Sequence, residues 1–238
     1  MDWDRILAYP LEDLPFIALV LIIAFTVHEF AHAYSAYKFG DRTAYDMGRV
    51  TLNPRVHIDW LGAILILIAG FGWAKPVLVN RGRFKNPRLM GVIVSAVGPL
   101  SNLVLGAFSI LCVYILNETG AFAAVSPGVY SALVHFFFYM FSLNFLLFVF
   151  NLIPLPPLDG YRIIQDLMPR SVQYKMDQNA QWGVFIFLLL VFVPPLRRVT
   201  LDPILALQSD IFWGFVRLFN AVFPTYMDWN SFIMDFLA

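Results

Sequence analysis

The sequence predicts an all-α polytopic membrane protein. Three spans form its core, with one or two hydrophobic helices near the C-terminus and a small cytoplasmic β-hairpin or re-entrant segment after the first span. Two observations lead to this class. Sixty per cent of the 238 residues are hydrophobic, 13% are charged and 24 are phenylalanine, far from the balance of a soluble domain. The apolar residues also fall in continuous runs of bilayer-crossing length, whereas a transmembrane barrel would alternate polar and apolar positions.

The first run, Leu14 to Phe39, spans a bilayer with some tilt. Met1 to Pro15 before it is acidic and has no basic leader, so no cleavable signal peptide is expected. Gly40 to Asp59 is polar, and in "GRVTLNP" (48–54) Val50 and Leu52 alternate as in a short strand. Trp60 to Trp73 is apolar but short for a span, which predicts a re-entrant segment. "AKPVLVN" (74–80) reads as a second strand, confined to an edge by Pro76.

A basic loop, Arg81 to Arg88, leads into the second span, Leu89 to Leu116, which "GPLSN" (98–102) interrupts. Ser131 to Phe150 is the third span and closes in "NLIPLPPLDG" (151–160). After the polar Tyr161 to Gln181 come the apolar runs Trp182 to Leu196 and Pro203 to Phe223. The latter carries Asp210 and Arg217 and reads as an interfacial helix or a last span. The chain shows no internal repeat. It is expected to form one membrane-embedded domain over 1–238, with its core at 14–166 and C-terminal helices at 182–223. The single cysteine, Cys112, excludes an internal disulfide.

Charge predicts the orientation. Lys38 to Arg88 holds nine Lys/Arg against three Asp, while the first fifteen residues hold one Arg against four acids. The first region therefore reads as cytoplasmic and the N-terminus as external. A full crossing by Trp60 to Trp73 would strand five of the nine basic residues outside. Arg197 and Arg198 fit this scheme poorly.

The chemistry concentrates in "HEFAH" (28–32), inside the first span, where ionisable groups are costly. Helical residues four apart lie about 40° apart around the axis and about 6 Å along it, so His28 and His32 share a face. This is the H-E-x-x-H arrangement of zinc metalloproteases, in which two histidines hold the ion and the glutamate, here Glu29, handles the proton of the attacking water. A catalytic zinc takes a third protein ligand. The extended metzincin pattern fails, because Ser35 and Lys38 stand where it needs Gly and His. His135 and Glu118 belong to the external side. His57 lies in a polar loop that suits an ordinary hydrogen-bonding histidine. Asp159 ends an inward-running span, and Pro154, Pro156 and Pro157 stop the helix ahead of it. It is the expected third ligand, and one Zn²⁺ per chain is the expected cofactor.

"HEFAH", "GPLSN" and "NLIPLPPLDG", in that order on three spans, resemble the site-2 protease family of zinc intramembrane proteases. The resemblance covers Leu14 to about Asp166. It implies that His28, His32 and Asp159 bind zinc, that Glu29 activates water, and that Asn102 and Asn151 belong to the cleft and contact substrate. "NPRVHIDW…FGWAKPV" (53–77) is similar to the membrane-associated hairpin of the compact branch. No PDZ-like insertion fits between Asn117 and Ser131, and no nucleotide-sensing CBS pair follows the core.

The function expected from the resemblance is hydrolysis of peptide bonds in or near transmembrane segments of membrane proteins. The partners would be transmembrane protein or peptide substrates and the bilayer, with no nucleic acid. The location would be the cell (inner) membrane, multi-pass, with the active site toward the cytoplasm. Two alternatives stay open: a membrane endopeptidase acting on soluble or lipidated peptides, and a non-catalytic metal-binding or transport protein.

Overall fold

The computed structural model describes residues 9–70, 72–225 and 227–237, so the first eight residues of the acidic leader fall outside it. Among the described residues, three helices are long and apolar enough to cross a membrane: α1 (Leu14–Lys38), α4 (Pro87–Glu118) and α6 (Pro127–Asn151). Between the first two lie the single turn α2 (Thr43–Asp46) and the ten-residue α3 (Trp60–Ala69). At about 1.5 Å per residue α3 covers only about half of a bilayer's apolar thickness. It starts on Asp59, whose carboxylate accepts from the Gly62 N–H, and ends at Gly70 with φ of 68°. This is the left-handed cap that glycine adopts without strain.

The bundle is organised around α4, which packs against α1, α6 and α7 (Asp159–Leu167). Its sequence explains why. Gly91, Ser95, Gly98, Asn102, Gly106 and Ser109 recur every three or four residues along one helical face, and all are buried. Small residues there let neighbouring helices approach closely, which is how helices associate in a solvent as apolar as their side chains. A Cβ on Gly106 would overlap the Phe145 ring of α6, and one on Gly91 would press on the Asp166 carboxylate of α7. Ile17, Val20, Leu21 and Phe25 of α1 meet Tyr139, Met140 and Leu143 of α6 in one apolar cluster.

Two expectations are corrected. The apolar run interrupted by "GPLSN" is nonetheless one helix, α4, unbroken through Pro99. A membrane helix tolerates the lost N–H when its neighbours satisfy the freed groups.

The β-hairpin is absent among the described residues; the segment 74–80 is extended but joins no ladder. Several of its polar groups bond to side chains instead. Arg49 donates to the carbonyls of Lys75 and Pro76, the Val77 N–H donates to Glu29, and the Thr51 carbonyl hydrogen-bonds His57.

The C-terminal runs form four helices: α8 (Arg170–Phe192), α9 (Pro194–Leu205), α10 (Leu207–Asn220) and α11 (Trp229–Leu237), following the single turn α5 (Ala121–Ala124) between α4 and α6. The stretches 170–192 and 194–220 are apolar enough to cross only when taken together, and they meet at a bend of 96°. Phe212 and Val216 of α10 and Trp229 and Phe232 of α11 close over Tyr114 and Phe141.

Candidate metal centre

His28, Glu29 and His32 occupy the C-terminal half of α1 and are 7%, 7% and 8% exposed. Asp159 arrives from the opposite side. α6 ends at Asn151, the proline-rich Leu152–Leu158 carries no helix, and α7 begins with Asp159. The next residue must be small: a Cβ on Gly160 would run into the Leu152 carbonyl. α7 is then fixed to the rest by Arg81, whose Nε lies 2.8 Å from the Asp166 carboxylate while its Nη2 donates to Ser95 of α4.

These elements bring three donor atoms together. His28 Nε2 and His32 Nε2 lie 3.1 Å apart, and Asp159 Oδ2 stands 3.1 Å from the first and 3.2 Å from the second. Ligand atoms ~2.0–2.1 Å from a tetrahedral zinc stand about 3.3 Å from one another, so the triangle already has nearly the dimensions of one face of such a site.

The tautomers follow from the surroundings. The Met140 carbonyl accepts from Asn144 Nδ2, which turns Asn144 Oδ1 toward Asn102 Nδ2 at 2.9 Å. Asn102 must then present its Oδ1 to His28 Nδ1, 2.7 Å away. His32 Nδ1 faces the Val94 carbonyl at 2.6 Å. Both rings donate through Nδ1, which leaves both Nε2 atoms free to offer lone pairs to a metal. Two imidazole nitrogens and a carboxylate oxygen converging at this spacing form a donor set that one cation can join. Room for it exists because Gly98 has no side chain: a Cβ there would overlap His32 Nε2 and approach His28 Nε2 to 2.8 Å. The donor set therefore fits a zinc ion.

Glu29 lies beside this triad, and its Oε2 accepts the Val77 N–H at 2.8 Å. Asn102 is wholly buried and spends both ends of its amide on His28 and Asn144. Asn151 is the last residue of α6 and donates to Leu147, outside the group of metal-binding atoms. His57 is buried elsewhere, against Thr51, and burial together with the nearby Arg49 charge holds it below its ordinary pKa. His135 lies at the other end of the bundle, 3.5 Å from Asp13.

Sequence reasoning missed Asn144 and gave Gly98 no role beyond its place in "GPLSN". The first carried a usable signal, an asparagine inside an otherwise apolar span.

Peptidase family M50 matches residues 16–193. The chain belongs to that family. By membership it is a zinc-dependent protease in a multi-pass membrane protein. It is 50% identical over 222 residues, 92% of this chain and 98% of the other, to the Bacillus subtilis protein named "Putative zinc metalloprotease YwhC". Two mycobacterial chains named Rip2, with the same description, are more distant. That of Mycolicibacterium smegmatis is 30% identical over 74% of this chain and 66% of its own length, and that of Mycobacterium tuberculosis strain H37Rv is 28% identical over 73% and 65%. No solved structure matches the chain. The M50 match encloses all four residues of the triad and its glutamate, from His28 to Asp159.

Proposed function

We propose that this M50 peptidase cleaves peptide bonds in or near transmembrane segments of membrane proteins, on zinc held by His28, His32 and Asp159, with its site toward the cytoplasm. The observation that carries the reading is where the triad stands: two of its three ligands lie within a membrane-crossing helix, buried by α4 and α6. A soluble peptide has no reason to be met at that depth, whereas a transmembrane segment is already there. The basic excess between Lys38 and Arg88 supports the cytoplasmic placement.

Bound zinc supplies Lewis-acid polarisation of the attacking water and of the scissile carbonyl. The chain does the rest. Asn102 and the Val94 carbonyl hold the two imidazoles with Nε2 inward. Glu29, with Oε2 occupied by Val77, takes the water proton on Oε1 and returns it to the leaving amine. Asn102, with no free hydrogen-bonding edge, acts on His28 and not on substrate. Asn151, at the end of α6, is the residue left to meet an unwound substrate backbone. A helical substrate must unwind first, since its carbonyls are engaged in its own helix.

The test compares membrane proteomes of cells carrying wild type and Glu29→Gln. The expected result is at least one single-span protein stabilised by the variant, with purified Glu29→Gln retaining zinc and losing about 10²-fold or more in rate. Cleavage of soluble peptides only, with no stabilised membrane protein, would favour a membrane endopeptidase. Loss of zinc from Glu29→Gln would favour a metal-binding role for the glutamate.

A further inference from the structure

The segment 74–80 crosses beside Glu29 with no strand partner, so something other than a ladder must fix it. Arg49 does so. Its Nη1 donates to the Pro76 carbonyl at 2.9 Å and its Nη2 to the Lys75 carbonyl at 2.6 Å. The Lys75 N–H adds a bond to the His57 carbonyl at 2.9 Å, and the Asn80 N–H one to Asp41 Oδ2 at 2.6 Å.

Arg49 is only 4% exposed, its Nε has no hydrogen-bond partner among the described residues, and the carboxylate whose charge reaches it is that of Glu29. A guanidinium this buried normally pairs with a carboxylate. This one spends its fork on two successive backbone carbonyls.

The Pro76 carbonyl and the Val77 N–H belong to a single planar peptide group, so orienting one orients the other. Arg49 grips the carbonyl edge of that plane, and Glu29 Oε2 accepts from its N–H edge at 2.8 Å. A positive and a negative side chain are thereby joined through one peptide dipole, which polarises in the direction that strengthens both bonds.

We propose that Arg49 is a positioning residue for the reaction: through the Pro76–Val77 peptide it fixes the Glu29 carboxylate, holding Oε2 so that Oε1 faces the attacking water. The inference rests on the reading of Glu29 as the proton acceptor. Arg49 touches neither the metal ligands nor substrate in this scheme. Its removal should slow turnover without emptying the metal site and without weakening substrate binding.

The experiment uses the full chain reconstituted in lipid, with a fluorogenic single-span peptide as probe. Zinc content, kcat and KM are measured for wild type, Arg49→Gln and Arg49→Lys. Arg49→Gln should keep its zinc and a KM within about twofold of wild type, while kcat falls about 10- to 100-fold, the usual cost of losing a partner that orients a reacting group. Arg49→Lys keeps the charge but has no planar fork for two carbonyls, so its kcat should fall between the two. Wild-type kcat in a zinc-loaded Arg49→Gln overturns the proposal, and so does a fall confined to KM. If Arg49→Gln loses zinc, Arg49→Lys decides: zinc-loaded with reduced kcat supports positioning, zinc-loaded at wild-type kcat overturns it. Zinc lost from both makes Arg49 a structural residue and also overturns it. A wild-type chain that cleaves the probe with no dependence on zinc defeats the reading of the site itself, a failure visible before any variant is compared.

Discussion

His28 Nδ1 stands 2.7 Å from Asn102 Oδ1, a bond that crosses from α1 to α4 and that Asn144 locks from α6. Three spans thus contribute to the orientation of one imidazole. The arrangement converts a flexible ligand into one with a single tautomer and a single direction.

Asn102→Leu should therefore weaken zinc binding about 10- to 100-fold, because the ring loses the acceptor that holds its proton on Nδ1. Activity should return at saturating zinc, with KM for substrate little changed. Competition with a chelator, followed by rate measurements across zinc concentrations, checks this. A raised KM at full zinc occupancy would instead give Asn102 a contact with substrate.

Asp159→Ala should lose zinc and activity together, since two histidines rarely retain a catalytic ion. His57→Ala and His135→Ala should keep near-stoichiometric metal, as both are hydrogen-bonded away from the triad. Metal analysis of the three purified variants decides it. Zinc kept by Asp159→Ala and lost by His57→Ala would mean the third ligand is misassigned.

Cysteines placed at Arg83 or Lys85 should react with an impermeant thiol reagent only from the cytoplasmic side, and one at Ser126 only from outside. The reason is the nine-to-three basic excess of residues 38–88. The same labelling pattern fixes the side on which α7 and the metal triad open. Reversed labelling would move the site to the outer face.

Acidification should release the segment 74–80 at its Asn80 end. Burial by itself would raise the Asp41 carboxyl, but hydrogen bonds from Thr43 and from the Asn80 N–H, with the Arg83 charge, hold it below its ordinary value. A depressed folded-state pKa contributes stability that is complete above the unfolded value of ~3.9 and disappears as pH falls through the folded one. Asp41→Asn should lower the melting temperature near neutral pH, and the gap to wild type should close below about pH 4. Melting curves of both proteins in detergent across pH 3–7 measure it, and a gap that stays constant would remove Asp41 as the cause.

The sequence by itself determined the membrane class, the three spans and the candidate metal ligands His28, His32 and Asp159. Each of these depends on local pattern. Apolar run length is set by bilayer thickness, His28 and His32 share a face because a helix turns every 3.6 residues, and Asp159 is released by prolines that end any helix.

Tertiary structure decided what depends on partners distant along the chain. Residues 74–80 have the alternation of a strand, yet their hydrogen bonds go to Arg49, Glu29 and Asp41, and no sequence period encodes a side-chain partner 26 to 48 residues away. Pro99 ends no helix here: α4 continues through it, packed against α1, α6 and α7. Asn102 lies in a polar motif, and only the fold shows that its amide is buried with His28 at one end and Asn144 at the other, because a buried amide left unpaired is costly.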